Sequence, residues 1–476
     1  MTNHATHTQL AVLGAGPGGY TAAFYAADLG MTVTLIDKEA APGGVCLHRG
    51  CIPSKALLHT TRVMDEAEQA ARFGLTFAKP DINLDKMRSH KEGIIKQLGR
   101  GLLQLTKARK INFIQGTAGF VDPRTLHVQG ADGRTHSITA DHTIIATGSR
   151  PAGIPGVSLV SERLWNSKKA LELQNIPKRL LVVGGGYIGL ELGSVYASLG
   201  TEVLVVEMTD GILPGVDRDL ALVLQKKLKA KFKGFLFNTK VLSIREATDG
   251  LCVGFEDTSK TTTEEFFDHV FISTGRQPTV DGLHLDCAGV ACTERGFIRV
   301  DGARRTSQHH IFAIGDIAGN PMLAHKASFE ARIAVENILG KERLYQPKAI
   351  PAVVFTDPEI AWCGVSEESA KQQGISYEVA KFPWTASGRA MTLGAEQGLT
   401  KLVIEPQSGK ILGVGIVGCG AGDLISEGVV AVEMGATVQA LARCIHPHPT
   451  LSETILEAAE LHLGHCTHLY KPKKHF

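Results

Sequence analysis

The sequence predicts an α/β protein built around two Rossmann-like dinucleotide-binding units, and three observations carry that prediction. The first is length: 476 residues are roughly three times the ~150-residue soft prior for one domain, so three or four domains are expected. The second is glycine: the chain holds 52, above the ~7% of ordinary proteins, while aromatic residues make up only 6%. The third is an internal repeat. Residues 10–37 (LAVLGAGPGGYTAAFYAADLGMTVTLID) lie without a gap over residues 180–207 (LLVVGGGYIGLELGSVYASLGTEVLVVE). Gly14, Gly16, Gly19 and Gly30 fall on Gly184, Gly186, Gly189 and Gly200, and Asp37 falls on Glu207.

Each copy reads as a short apolar strand, a glycine turn, an apolar-periodic helix stopped by glycine, and a β-branched strand ending in an acid. The first glycine permits the tight turn, the second lets backbone approach a pyrophosphate, and the third lets helix and strand pack closely. Free N–H groups and the dipole at the helix start favour the anion. The acid ~20 residues on accepts from ribose hydroxyls. Two copies predict two nucleotide sites. In the second, Glu207 would repel a 2′-phosphate, and Met208, Thr209 and Asp210 offer no cation to receive one, which favours NAD over NADP. Arg218 is too far along the chain to change that preference.

Composition narrows the class. Lys plus Arg number 50 against 48 Asp plus Glu, a net charge of +2, so no nucleic-acid or polybasic membrane footprint is expected. Apolar residues at 43% and charged residues at 21% exclude a disordered, collagenous or coiled-coil chain. No apolar run approaches the ~18 to 20 residues of a membrane helix. Nine cysteines are an odd count that makes no disulfide framework of the small secreted kind. No Lys or Arg precedes Lys38, so signal- and transit-peptide features are missing, and a cytoplasmic location is expected.

After the first unit comes Gly43-Gly44-Val45-Cys46-Leu47-His48-Arg49-Gly50-Cys51-Ile52-Pro53-Ser54-Lys55. Pro53 suits a first helical turn, which places Cys51 at a helix start. The dipole and the Lys55 ammonium would both stabilise a Cys51 thiolate. The residues alone leave three readings open: a redox pair, two buried structural thiols, or half of a zinc site.

The Gly-Gly-x-Cys-x4-Cys-x-Pro-Ser-Lys string behind a Rossmann fingerprint resembles the flavoprotein disulfide reductases, and its Ile-Pro-Ser-Lys ending is similar in particular to members that oxidise dihydrolipoyl groups with NAD. The resemblance extends over nearly the whole chain. It implies FAD in the first nucleotide unit and NAD in the second. By position, Cys46 is the interchange thiol that meets substrate, Cys51 is the thiolate facing the flavin, and Lys55 lies near flavin N5 paired with Glu191. Ile144 to Gly148 resembles the family's link between its nucleotide domains, which adds Thr147 and Gly148 to the FAD residues Gly14, Gly16, Gly19, Asp37 and Lys55. Ile272 to Arg276 is its echo, adding Gly275 and Arg276 to the NAD residues Gly184, Gly186, Gly189 and Glu207. Thr306 to Asp316 looks like the second flavin fingerprint, with Asp316 reaching the ribityl chain and Ala324 in the flavin-proximal segment after it. His325 is read as structural.

The implied architecture has four parts: an FAD-binding domain with the cysteine pair over residues 1–150, an NAD-binding domain over 151–280, a central domain completing the FAD site over 281–348, and a C-terminal α+β interface domain that forms a homodimer over 349–476. In that last part, His446-Pro447-His448-Pro449-Thr450-Leu451-Ser452-Glu453 offers a histidine general base with a carboxylate to orient its other nitrogen. By resemblance His448 is the acid/base for the other subunit's disulfide and Glu453 its partner; taken alone, Glu453 also suits the start of the helix that follows. His446, His448, His462, His465, Cys466 and His468 invite a metal reading, but prolines stiffen the segment of His446 and His448 and the rest lie near a terminus, so no metal site is expected.

The sequence departs from the family at Asp37, where a longer glutamate is usual, and at His48 and Pro447. Tyr187 stands where glutathione reductases place a gating tyrosine and is expected to cover the flavin. Rival readings are a glutathione or mercuric reductase, a transhydrogenase, and a flavin-binding scaffold or redox sensor. Glu207 disfavours the first, a lone Cys466 the second, Cys46 the third, and the relay of Cys51, Lys55, Glu191, His448 and Glu453 the last. The first fingerprint begins within the first 20 residues, so no lipoyl domain is expected in the chain. Its substrate would arrive on the lipoyl domain of an E2 subunit of a 2-oxo-acid dehydrogenase complex or on an H-protein.

Overall fold

We describe the protein from a computed structural model that covers residues 6–470. Both repeats form as βαβ units. In the first, strand Thr6–Leu13, helix Pro17–Asp28 and strand Val33–Asp37 follow in order, with Leu10 opposite Val33 in a parallel ladder. In the second, strand Arg179–Val183, helix Tyr187–Ser198 and strand Glu202–Val206 repeat the pattern, with Arg179 opposite Glu202. Leu10, Ala11 and Val12 are wholly buried, as are Leu180, Leu181 and Val182. The central residues of these strands are apolar at consecutive positions because both of their faces are covered.

The glycines act in the same way in both copies. Gly14 and Gly184 have φ of +97° and +107°, a region that penalises any Cβ. A Cβ on Gly19 would lie 1.8 Å from the Gly14 carbonyl oxygen, and one on Gly189 would lie 2.3 Å from that of Gly184. The third glycine of each fingerprint is therefore the point where helix and turn touch.

The first sheet has six strands. Strand Thr135–Ile145 runs parallel to Thr6–Leu13, with Val12 opposite Ile144, and parallel to the short strand Ile311–Ala313, with Ile311 opposite Thr143. The second sheet is five-stranded and parallel through its centre. An antiparallel layer of Lys240–Ala247, Gly250–Glu256 and Thr262–Phe267 covers one side of it, and Leu251, Val253 and Phe255 pack there with Leu181 and Val206. The C-terminal region is a five-stranded antiparallel sheet, with helices Ala421–Met434 and Glu453–Leu463 packed against it around Trp384 and Phe382.

Residues 281–348 have no sheet of their own. Their strand Ile311–Ala313 completes the first sheet, and helix Ala324–Ile338 packs on helix Pro17–Asp28. Ile311, Phe312 and Ala313 are buried to within 1%, and Leu283, Ala288 and Ile298 share one core with Leu13 and Ile145. A three-residue strand buries too little to stand as a layer by itself, so this segment joins the unit expected to hold FAD. No helix among the described residues is long and apolar enough to cross a membrane.

Candidate active site

The cysteine string folds into two successive helices, Gly44–Arg49 and Cys51–Gln69. Cys51 opens the second, and Cys46 sits one short helix before it. The two thiols are not equivalent. The Cys51 thiol is lowered to about 7: a hydrogen bond from Cys46 stabilises its anion, burial opposes this, and the Lys55 ammonium adds to the lowering. Cys46, hydrogen-bonded to that anion and partly buried, is held far above the ordinary thiol range. Above neutral pH the dithiol form therefore carries its thiolate on Cys51.

Lys55 Nζ donates to Glu191 Oε2 at 2.8 Å, bridging the first unit to the helix of the second fingerprint. Two further groups hold the same carboxylate. Ser54 Oγ donates to Oε2 at 2.9 Å, and the backbone N–H of Phe355 donates to Oε1 at 3.0 Å. The Phe355 ring also lies 4.4 Å below the Lys55 ammonium, a cation–π contact. Ser54 could have been read from the Pro-Ser-Lys string. Phe355 carries no local signal, since it reaches the site from the C-terminal sheet.

Ser54, Lys55 and Glu191 line a cavity of about 610 Å³, within the ~300–1,000 Å³ of a cofactor pocket. Gly14, Gly16, Asp37, Cys46, Cys51, Lys55, Thr147, Gly148, Tyr187, Glu191, Asp316 and Ala324 are all on its wall. Gly19 is not; it lies beneath, at the helix–turn contact. Asp37 Oδ2 accepts from Ala15 N at 2.5 Å, and Glu207 Oε2 accepts from Gly185 N at 2.8 Å. Each acid thus ties down the residue after the first glycine of its own loop, a role invisible in the spacing. Glu207 Oε1 also accepts from the N–H of Thr209 at 2.9 Å, and Arg218 is occupied with the Ile212 carbonyl at 2.7 Å.

The residues fit the two dinucleotides. Gly16 and Gly186 cap their helices with φ of −69° and −76° and no side-chain cap. A Cβ on Gly16 would meet nothing nearer than 3.9 Å, and one on Gly186 nothing within 4 Å. Neither backbone strain nor packing calls for glycine there, whereas an anion resting on the uncapped N–H groups does.

Two placements bear on the expected roles. Arg276, grouped with the NAD residues, lies on the wall of the first cavity. The reason is a short antiparallel pairing of Arg276–Pro278 with Ser149–Pro151, which sets Arg276 opposite Pro151 and brings its side chain to Ser149. His448 and Glu453 are joined, Nδ1 to Oε1 at 2.9 Å, but neither is on the cavity wall of its own chain. Glu453 Oε2 also accepts from Thr450 N at 2.7 Å. Burial pushes its carboxyl up, but that backbone donor and His448 together hold it below the ordinary range. His448 itself is 74% exposed.

Two of the other candidate histidines bond to carboxylates: His446 to Glu427 at 2.8 Å, and His468 to Glu457 beside Cys466. His325 bonds to the Pro351 carbonyl at 2.7 Å. Asp217, Asp219 and Glu367 are close enough together for a cation, but Lys401 Nζ occupies that cluster, at 2.6, 2.7 and 3.0 Å.

The unequal thiols make a pH prediction. In the reduced protein, one thiolate appears as pH rises through about 7, read as the ultraviolet thiolate absorbance lost in Cys51→Ser. Lys55→Met should move that step to higher pH, because a neutral group no longer favours the anion. An unchanged step in Lys55→Met would show that the ammonium does not act on Cys51.

Residues 8–331 match the family model described as pyridine nucleotide-disulphide oxidoreductase, and residues 350–459 match its dimerisation domain. A protein of Vibrio cholerae named dihydrolipoyl dehydrogenase is 45% identical over 465 residues, 98% of both chains. One of Thermus scotoductus with the same name is 44% identical over 95% of this chain and 96% of its own. Among solved structures, LpdA from Mycobacterium tuberculosis superposes with a TM-score of 0.88 at 29% identity, over 95% of this chain and 99% of that one. The HOCl-induced flavoprotein disulfide reductase RclA of Escherichia coli superposes at 0.84 and 26% identity, over 95% and 99%.

Proposed function

The chain belongs to the pyridine nucleotide-disulphide oxidoreductase family, and we propose that it oxidises protein-bound dihydrolipoyl groups to lipoyl with NAD, as its relatives' name, dihydrolipoyl dehydrogenase, implies. It is an oxidoreductase that uses FAD and NAD and forms a homodimer. The observation that carries the reading is the unequal thiol pair at a helix start on the wall of a dinucleotide cavity.

The reaction begins from a Cys46–Cys51 disulfide. One dihydrolipoyl sulfur attacks Cys46 Sγ, the S–S bond breaks, and Cys51 leaves as the thiolate its surroundings favour. His448 of the partner subunit takes the proton of the attacking thiol at Nε2, while Glu453 holds Nδ1 and stabilises the imidazolium. The second substrate sulfur then attacks the mixed disulfide, lipoyl leaves, and Cys46 is released as the thiol. Lys55, fixed by Glu191, keeps a positive charge beside the Cys51 anion. FAD, when bound, supplies the two-electron acceptor for this dithiol, and NAD the final hydride acceptor. Gly14, Gly16, Gly19, Asp37, Thr147, Gly148, Asp316 and Ala324 would hold FAD; Gly184, Gly186, Gly189, Glu207 and Gly275 would hold NAD.

Both fingerprints and the cysteine pair lie in one body of nucleotide domains, and residues 349–476 carry the proton acceptor. The substrate would be presented on lipoyl domains of E2 subunits or on an H-protein, in the cytoplasm. Steady-state assays test the whole reading. Dihydrolipoamide oxidation with NAD should be fast, and glutathione reduction with NADPH should stay at background. Preference for glutathione with NADPH would overturn it.

A further inference from the structure

Arg276 shares a cavity wall with Asp316, and its contacts form a directed chain. Its Nε donates to Ser149 Oγ at 2.7 Å, and its Nη2 donates to the Ser149 carbonyl at 2.7 Å. Ser149 Oγ in turn donates to Asp316 Oδ2. A serine hydroxyl has one proton and can rotate. With the arginine N–H occupying an oxygen lone pair, the proton must point away from the guanidinium, toward Asp316. Polarity therefore runs one way, from cation through hydroxyl to carboxylate. The guanidinium itself stands 4.0 Å from Asp316, just beyond direct hydrogen bonding.

The surroundings keep the chain in place. Ser149 is buried to 4%, and the Arg276 and Asp316 side chains are 12% and 22% exposed. Arg276 belongs to the segment leaving the second nucleotide unit and Ser149 to the segment leaving the first, so the chain spans the two crossovers between them. Asp316 Oδ1 accepts no hydrogen bond among the described residues, and Asp316 lies on the cavity wall.

We infer that Arg276 is a positioning residue for FAD rather than a ligand of NAD: through Ser149 it fixes the Asp316 carboxylate so that Oδ1 is left to accept from a hydroxyl of the flavin dinucleotide. This rests on the reading of Asp316 as the flavin-side acid. A carboxylate with one oxygen held and its charge partly balanced loses less freedom on accepting a ligand hydroxyl. Losing the chain should therefore raise the FAD dissociation constant and leave that of NAD unmoved.

The test uses the full-length chain, stripped of flavin and titrated with FAD by fluorescence, with NAD binding measured on the same samples. Arg276→Met and Ser149→Ala should each weaken FAD binding by about ten-fold, the scale of one hydrogen bond to a charged group. The double variant should be no weaker than the worse single one, because both break the same chain. Ser149→Thr, which keeps the hydroxyl, should restore most of the affinity, whereas a merely structural loss would not be rescued. FAD affinity within two-fold of wild type in both single variants, or additive losses in the double one, would overturn the inference. So would a loss of NAD affinity alone in Arg276→Met. Asp316→Asn separates the premise from the proposal: if FAD binding is unchanged there, the reading of Asp316 fails; if it weakens there but not in the Arg276 and Ser149 variants, only the relay fails.

Discussion

Replacing Cys46 by serine should reduce dihydrolipoamide turnover to background, a loss on the order of 10⁴-fold or more, while NADH-to-dye electron transfer persists. The separation follows from the two thiols' different surroundings. Cys46 is the sulfur whose thiol form is favoured, hydrogen-bonded to its neighbour's anion, and in the proposed mechanism it is where the substrate sulfur bonds. A serine cannot form that bond. Electron flow from NADH to a dye passes through the nucleotide sites and needs no interchange thiol. Cys51→Ser should also abolish lipoamide turnover, and in addition lose the thiolate that titrates near about 7. Measured lipoamide turnover above one-hundredth of wild type in Cys46→Ser would rule out the proposed chemistry.

His448→Gln should lower dihydrolipoamide oxidation by ~10²- to 10⁴-fold, the range of a lost general base, again with dye reduction retained. Glutamine offers no group that takes a proton near neutral pH. Glu453→Gln should cost less, since an amide oxygen can still accept from Nδ1 but carries no charge to stabilise the imidazolium. The sign with pH can be worked out for Glu453. Its carboxyl is held below the ordinary range by the Thr450 N–H and by His448, so the anion that orients the histidine is present at neutral pH and is lost only as pH falls below the usual carboxylate range. Wild-type-like turnover in His448→Gln would mean that another group accepts the proton. Because the pair is not on the cavity wall of its own chain, mixing His448→Gln and Cys46→Ser subunits offers an independent check. Heterodimers should recover activity at the one site that combines an intact cysteine pair with the other subunit's intact histidine.

Much of the site is legible in the amino-acid sequence because its parts are short and local. A glycine turn, the acid at the end of the next strand, two cysteines bracketing a single helical turn, and a histidine beside its carboxylate each depend on backbone geometry over a few residues or on one βαβ unit. The position of Arg276 is not legible in the same way. Its neighbours in sequence form an echo of Ile144 to Gly148, which suggests an equivalent role at the other nucleotide, yet the strand pairing with Ser149–Pro151 carries its side chain to the first cavity. Phe355 belongs to no motif at all, and its contact with Glu191 spans 164 positions.

The same distinction sets what each level decided about this protein. By itself the sequence determined the two dinucleotide cradles and, through its resemblance to the flavoprotein disulfide reductases, pointed to the family and to the cysteine pair, because strained backbone and reactive atoms restrict residue type locally. Only the tertiary structure decided that residues 281–348 complete the first sheet, that Ser54 and Phe355 converge on Glu191, and that Arg276 faces Asp316. Those relations rest on packing between distant segments, where many residue types could bury the same surface and only the assembled fold selects which polar groups meet.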